Sequence, residues 1–211
     1  MHFVDIIEYL GAFAFAISGI RLASAKSFDW FGAYVVGLVT AIGGGTLRDV
    51  LLGITPFWMS QPGYLVVTAA ALLCVILFSR YLVRLNNTFF IFDTIGLGLF
   101  VVVGIERTLM EGYTFWVAIT MGMITGSAGG IVRDILINEV PLIFRKDVYA
   151  MACVVGGIVF WVCSKIGLSN ISIQLISAFA VILVRVLAVK FHISFPVLRG
   201  DENDHPDEMY K

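Results

Sequence analysis

Two arginine–aspartate neighbours, Arg48–Asp49 and Arg133–Asp134, are the charges in this sequence that most need explaining. Each follows a glycine pair at the same spacing, in "TAIGGGTLRDVLLG" (Thr40–Gly53) and in "TGSAGGIVRDILIN" (Thr125–Asn138). Both stretches lie within apolar segments. An ionised side chain at a bilayer centre costs roughly 2.5–3.5 kcal/mol on insertion scales, and it persists where it is paired or hydrated. Adjacent residues on a helix do not face each other, so the partners are expected from other helices. The candidate pairs are Arg48 with Asp134 and Arg133 with Asp49, or Glu8 and Asp93 as acceptors. The competing arrangement is that each arginine snorkels to an interface.

The glycines ask a second question. Each costs about 1 kcal/mol relative to alanine inside a helix and favours a bend. At Gly43, Gly44, Gly45, Gly129 and Gly130 the expectation is a broken helix whose freed carbonyls face protein, water or an ion rather than lipid. With the hydroxyls of Thr40, Thr125 and Ser127, such carbonyls make a hydrated passage or a weak cation site. At Gly19, Gly37, Gly104 and Gly122 the expectation is close helix packing, as small residues at four-residue spacing allow. No nucleophile–base pair, histidine cluster or phosphate loop stands out, so neither catalysis nor a bound cofactor is expected. Cys74, Cys153 and Cys163 lie in apolar runs without metal-ligand spacing, which points to helix packing.

The elements that hold these residues are membrane helices. Of the 211 residues, 59% are hydrophobic and 14% charged, where soluble domains carry about 25% charged residues. The mean hydropathy is +0.95. A formal net charge of -1 gives no reason to expect a nucleic-acid partner. The N-terminus lacks the pattern of a cleaved signal. Seven segments have the length and apolarity of spans: 4–20, 31–52, 63–80, 89–106, 115–137, 149–165 and 170–190. Arg21, Lys26, Arg80, Arg84, Arg145, Lys146, Lys190, Arg199 and Lys211 fall on one side, and Arg107 and Lys165 on the other. The positive-inside rule then places the N-terminus outside and the C-terminus in the cytoplasm. Arg185, near the cytoplasmic end of the seventh span, is expected to snorkel. Trp30, Trp58, Trp116 and Tyr64 are expected in interfacial aromatic belts. The polar tail 196–211, with His205, is expected to be disordered.

Shifted by 85 positions, the first half lands on the second without a gap, as Thr40 on Thr125 shows. Identical pairs include Gly19/Gly104, Gly37/Gly122, Gly44/Gly129, Gly45/Gly130, Arg48/Arg133, Asp49/Asp134, Pro56/Pro141 and Tyr64/Tyr149. Shared apolar composition does not readily give a common Gly-Gly, Arg-Asp and Pro at fixed offsets. Three spans per copy is an odd number, so the copies enter the membrane from opposite sides. The fold class expected is an all-α membrane protein, a 3+3 inverted repeat plus one helix, with kinked second and fifth helices. Its divisions are 1–85, 86–168, a seventh helix over 169–195, and the tail. Inverted repeats of this kind place function near the bilayer middle, between the copies.

The doubled motif in a seven-span chain resembles the prokaryotic branch of the trimeric intracellular cation channel family, whose domain is also labelled a glycine transporter. The resemblance covers about residues 4–195. It implies a homotrimer in a bacterial inner membrane, with a pore in every protomer and permeation of potassium or sodium. Carried over by position, the pore elements are Gly44, Gly45, Arg48, Asp49, Gly129, Gly130, Arg133 and Asp134. Animal members carry lysines at their glycine motifs, linked to regulation by calcium and phosphoinositide; no lysine stands beside either Gly-Gly here. An alternative remains open: a secondary transporter for glycine or another small zwitterion, with arginine and aspartate holding carboxylate and amine.

Overall fold

A computed structural model describes residues 3–78, 88–145 and 148–193. Seven long helices follow in order: α1 (Phe3–Ala25), α2 (Trp30–Leu52), α3 (Gly63–Leu77), α4 (Thr88–Met110), α5 (Phe115–Leu136), α6 (Ala150–Ile166) and α7 (Asn170–Lys190). A single helical turn, Phe57–Ser60, follows α2, and a 3-10 turn, Leu142–Phe144, follows α5. Five of the helices, α1, α2, α4, α5 and α7, are long and apolar enough to cross a membrane. With 15 and 17 residues, α3 and α6 are shorter, about 22 and 26 Å against a hydrocarbon core of about 30 Å. The expected end of the third span at 79–80 and the tail 196–211 lie outside the described residues.

Local chemistry sets the helix ends, and the two halves share it. Asp29 caps α2 by accepting the Gly32 N–H at 2.7 Å, and Ser169 caps α7 through Ser172 N–H. Gly53 ends α2 in the left-handed region at φ 73°, and Asn138, its counterpart in the repeat, follows α5 at φ 57°. Asn is the residue that tolerates this conformation best after Gly. Pro56 and Pro141 then open the two short turns.

At the centre stand α1 and α4, buried all round over Ala14–Ile20 and Phe100–Ile105. Their Phe15 and Phe100 rings stack with centroids 5.3 Å apart. Phe15 lies against Gly96 and Phe100 against Gly11, so each ring fills the space the other helix's glycine leaves. Around this pair, α1 packs on α2 and α3, α4 on α5 and α6, and α7 on α4 and α6. Large apolar side chains face outward, among them Trp30, Phe31, Trp116 and, on α7, Ile171, Leu175 and Phe179. Tyr64 does not join them. It is buried, stacked on Tyr9 at 4.4 Å and edge-on to Phe57.

The glycine segments overturn one expectation. Both α2 and α5 run as uninterrupted α-helices through Gly43–Gly45 and Gly129–Gly130, so no half-helices with freed carbonyls form. The glycines serve close approach instead. An added Cβ on Gly44 would lie 2.0 Å from the Thr125 carbonyl oxygen, and one on Gly129 would lie 2.3 Å from that of Thr40. The helices cross backbone to backbone there, and the contact is reciprocal, with each glycine set against the threonine carbonyl of the other sequence copy. Gly19 and Gly37, with Gly104 and Gly122, seat neighbouring helices in the same way.

An ion chain ties the ends of the two halves together. Lys26, after α1, meets Glu139, after α5, at 2.6 Å, and Arg145 reaches the same carboxylate at 3.6 Å. Hydrogen bonding and charge from Lys26 hold the Glu139 carboxyl below its ordinary value.

Gly44→Ala forces the Thr125 backbone to move and is expected to destabilise by about 1–3 kcal/mol or more. Gly43→Ala meets only the Gly129 Cα at an ordinary 3.4 Å and is expected to be neutral or stabilising; thermal unfolding in detergent compares the two. Because the folded Glu139 pKa is lowered, the Lys26 pair contributes fully above the ordinary value of 4.5 and fades as pH falls through the lowered value. The small melting difference between wild type and Glu139→Gln is therefore expected at neutral pH and absent in acid.

Candidate functional site

The two Arg-Asp neighbours build two ionic clusters, one per repeat, and each arginine pairs with its own neighbour. Arg48 Nε donates to Asp49 Oδ1 at 2.8 Å and Arg133 Nε to Asp134 Oδ1 at 2.9 Å. The expected cross pairs, Arg48 with Asp134 and Arg133 with Asp49, are not the pairs formed. Adjacent Cβ atoms diverge on a helix, but three methylenes let the guanidinium fold back until Nε meets the carboxylate. The second oxygen of each aspartate caps the turn that follows. Asp49 Oδ2 accepts the Phe57 N–H at 2.8 Å, and Asp134 Oδ2 accepts the Leu142 N–H at 3.0 Å.

The alternative acceptors, Glu8 and Asp93, are the ones the structure uses. Both are 0% exposed. Arg48 reaches Glu8 Oε1 at 3.4 Å, and Arg133 Nη1 donates to Asp93 Oδ1 and to Ser18 Oγ on α1. Aromatic faces complete the casing, with Arg48 5.6 Å from the Phe57 ring centroid and Arg133 4.7 Å from that of Phe89. At 1% and 0% exposure, Arg48 and Arg133 are buried rather than snorkelling.

Two further arginines join, and the sequence reading missed both. Arg107 on α4 donates to Glu8 Oε2 and to Asp5 Oδ1, each at 2.7 Å. Arg185 on α7 was expected at an interface. It is 2% exposed, stands 3.8 Å from Asp93 Oδ2, and lies over the rings of Tyr149 and Phe90 at 4.6 and 5.2 Å. Tyr149, identical with Tyr64 in the repeat, was the available signal for this second pocket. Several polar atoms here find no hydrogen-bond partner among the described residues: Arg48 Nη1, Arg107 Nε, Arg133 Nη2, Asp93 Oδ2, Tyr149 Oη, and Nε and Nη1 of Arg185. A buried polar group left so costs about 1–3 kcal/mol. Groups of this kind bind water or an ion.

Between the clusters lies the crossing of α2 and α5. Thr40 Oγ1 donates back to Val36 O at 2.6 Å, Thr125 Oγ1 to Met121 O at 2.6 Å and Ser127 Oγ to Met123 O at 2.7 Å. Such back-bonding weakens and bends helices. It leaves the oxygens only acceptor capacity, and those of Thr40 and Thr125 sit against Gly19 and Gly104. Gly45 carries the Phe57 ring, and Gly130 faces Tyr149 Oη and Arg133. From the loop end, a pocket of about 290 Å³ between Lys26, Phe89, Glu139 and Arg145 reaches Asp134. Among the described residues no cluster of His, Cys, Asp or Glu has the arrangement of a metal site.

A family model described as glycine transporter matches the chain twice, over residues 5–80 and 90–165. The chain belongs to that family. Members similar to it include the UPF0126 membrane protein of Vibrio cholerae, 40% identical over 90% of this chain and 81% of its own length. The inner membrane protein YadS of Escherichia coli is 37% identical over 93% of this chain and 97% of its own. Among solved structures, the TRIC trimeric intracellular cation channel orthologue from Rhodobacter sphaeroides superposes with a TM-score of 0.85 at 31% identity, covering 91% of this chain and 100% of that one. A second TRIC cation channel, solved to explain conductance, gives 0.82 at 32% identity over 95% and 99%. This family member therefore has the all-α, multi-span TRIC fold.

Removing one partner of a buried ion pair costs about 3–5 kcal/mol. Asp134→Asn leaves the fully buried Arg133 with Asp93 as its one carboxylate and its Nε without a charged acceptor, and loosens the cap on Leu142, so a loss approaching that order is expected. Asp5→Asn is expected to cost about 0–1 kcal/mol, because Glu8 still holds Arg107. Melting curves of the two purified variants check the contrast.

Proposed function

We propose that this protein is a channel for monovalent cations, potassium or sodium, assembled as a homotrimer with a pore in each protomer. The observation that carries the reading is the likeness to solved TRIC channels across 91% of the chain. In this reading all seven helices cross the inner membrane as a 3+3 inverted repeat, 1–85 and 86–168, with α7 added and a cytoplasmic tail. The N-terminus is outside, so the Arg48 cluster sits toward the outer face and the Arg133 cluster toward the cytoplasm. Ions pass along the α2–α5 contact between them, beside Thr40, Gly43, Gly44, Gly45, Thr125, Ser127, Gly129 and Gly130. The two helices bend there to open the path. Arg48, Asp49, Arg133 and Asp134, with Glu8 and Asp93, set the field at its two ends. No cofactor is required.

Arginines beside a cation path need compensation, and the clusters supply it. The outer one sets Arg48 and Arg107 against Asp5, Glu8 and Asp49, and the inner one sets Arg133 and Arg185 against Asp93 and Asp134. A carrier for glycine would need a guanidinium released from these carboxylates to hold the substrate.

Purified protein in planar bilayers under a potassium chloride gradient tests the reading. Unitary current steps reversing near the potassium equilibrium potential are expected. Saturable glycine uptake into vesicles without current steps would establish the carrier instead.

A further inference from the structure

Each repeat buries one carboxylate on its first helix and holds it with two arginines. Glu8 on α1 lies between Arg48 and Arg107, and Asp93 on α4 lies between Arg133 and Arg185. The first arginine of each pair is a repeat copy, 85 positions from the other, at 48 and 133. The second is not. The position 85 after Arg107 is His192, and the position 85 before Arg185 is Phe100. The helix next in sequence after each repeat therefore supplies an equivalent charge from a non-equivalent place. For the first repeat that helix is α4, and for the second it is α7.

The two second arginines grip differently. Arg107 makes two hydrogen bonds of 2.7 Å and is 27% exposed. Arg185 makes none to Asp93, stands 3.8 Å away, and keeps Nε and Nη1 unpartnered beside Tyr149 Oη and Arg133 Nη2, which are also unpartnered. A buried cation held by aromatic faces and a distant carboxylate is not there for stability alone, since well-packed apolar side chains hold a helix pair as well or better. What it does is cancel charge. With Arg185 the inner cluster has two cations and two carboxylates, and without it the balance is one negative charge.

We propose that Arg185 is a conductance- and selectivity-determining residue, the charge for which the seventh helix is added, and that Arg107 is its counterpart at the other end of the path. The inference rests on the channel reading. Each arginine offsets the pull of its buried carboxylate on passing cations, which leaves one net negative charge in the outer cluster, two arginines against three carboxylates, and none in the inner one, two against two.

The test is recording from single channels of wild type, Arg185→Gln, Arg185→Lys and Arg107→Gln. Arg185→Gln is expected to raise cation conductance and the potassium-to-chloride permeability ratio by about three- to tenfold, the scale for one unit charge several ångström from an ion in a medium between protein and water. Because the outer cluster already carries one net negative charge, Arg185→Gln evens the two ends and makes the current–voltage curve more symmetrical than wild type, whereas Arg107→Gln leaves two net negative charges outside and increases rectification. Arg185→Lys keeps the charge and is expected to match wild type. The inference is overturned by a conducting Arg185→Gln with wild-type conductance, selectivity and rectification, or by an Arg185→Lys that departs from wild type as Arg185→Gln is expected to. If Arg185→Gln does not assemble, Arg107→Gln at its partly exposed site decides, and a wild-type current–voltage curve from it overturns the inference. A silent wild-type protein removes the channel reading and this inference with it.

Discussion

Three arginines with almost no exposure, Arg48, Arg133 and Arg185, impose the constraint from which the architecture follows. A guanidinium keeps its charge in a low-dielectric interior and therefore has to be paired there with a carboxylate, which must itself be held. That requirement brings α1 to α2 through Glu8 and Arg48, and α4 to α5 through Asp93 and Arg133. It also fixes the turns after α2 and α5, which hang on the free oxygens of Asp49 and Asp134. Helix contacts in lipid gain nothing from hydrophobic burial between helices. Here the ionic clusters and the glycine crossings supply what burial cannot.

The crossing of α2 and α5 completes the frame. With Gly44 against the Thr125 carbonyl and Gly129 against that of Thr40, the two helices touch where a side chain would hold them apart. The charged clusters lie beyond this contact on either side, each built around the Arg-Asp pair of one repeat and completed by an arginine from the helix that follows it. In the proposed channel the path crosses this close helix contact, with a charged cluster toward each end and the hydroxyls of Thr40, Thr125 and Ser127 beside it.

Much of this was legible in the residues. Hydropathy placed all seven helices close to their observed ends, because runs of apolar residues interrupted by polar connectors leave little choice in a bilayer. The 85-residue offset was legible because Gly, Arg, Asp and Pro are rare enough in such a composition to mark register. Glu8 and Asp93 were legible as acceptors because they are repeat mates and charged. The continuity of α2 and α5 was not legible, since a glycine pair signals a break and a close approach with the same letters; only the facing carbonyl decides. The pairing of Arg48 with Asp49 depends on a side-chain fold that spacing does not encode. Arg185 was misplaced because a charge near a helix end reads as interfacial, and nothing local reveals that α7 turns it toward Asp93.

The account stands on a path inside each protomer, along the α2–α5 contact between the two clusters. A crystal structure of the protein grown in a thallium salt tests it directly, because thallium replaces potassium and scatters anomalously. The account requires anomalous peaks within every protomer, between the Arg48 and Arg133 clusters. Peaks confined to the axis between protomers, with a dry contact at Gly44 and Gly129, would contradict it.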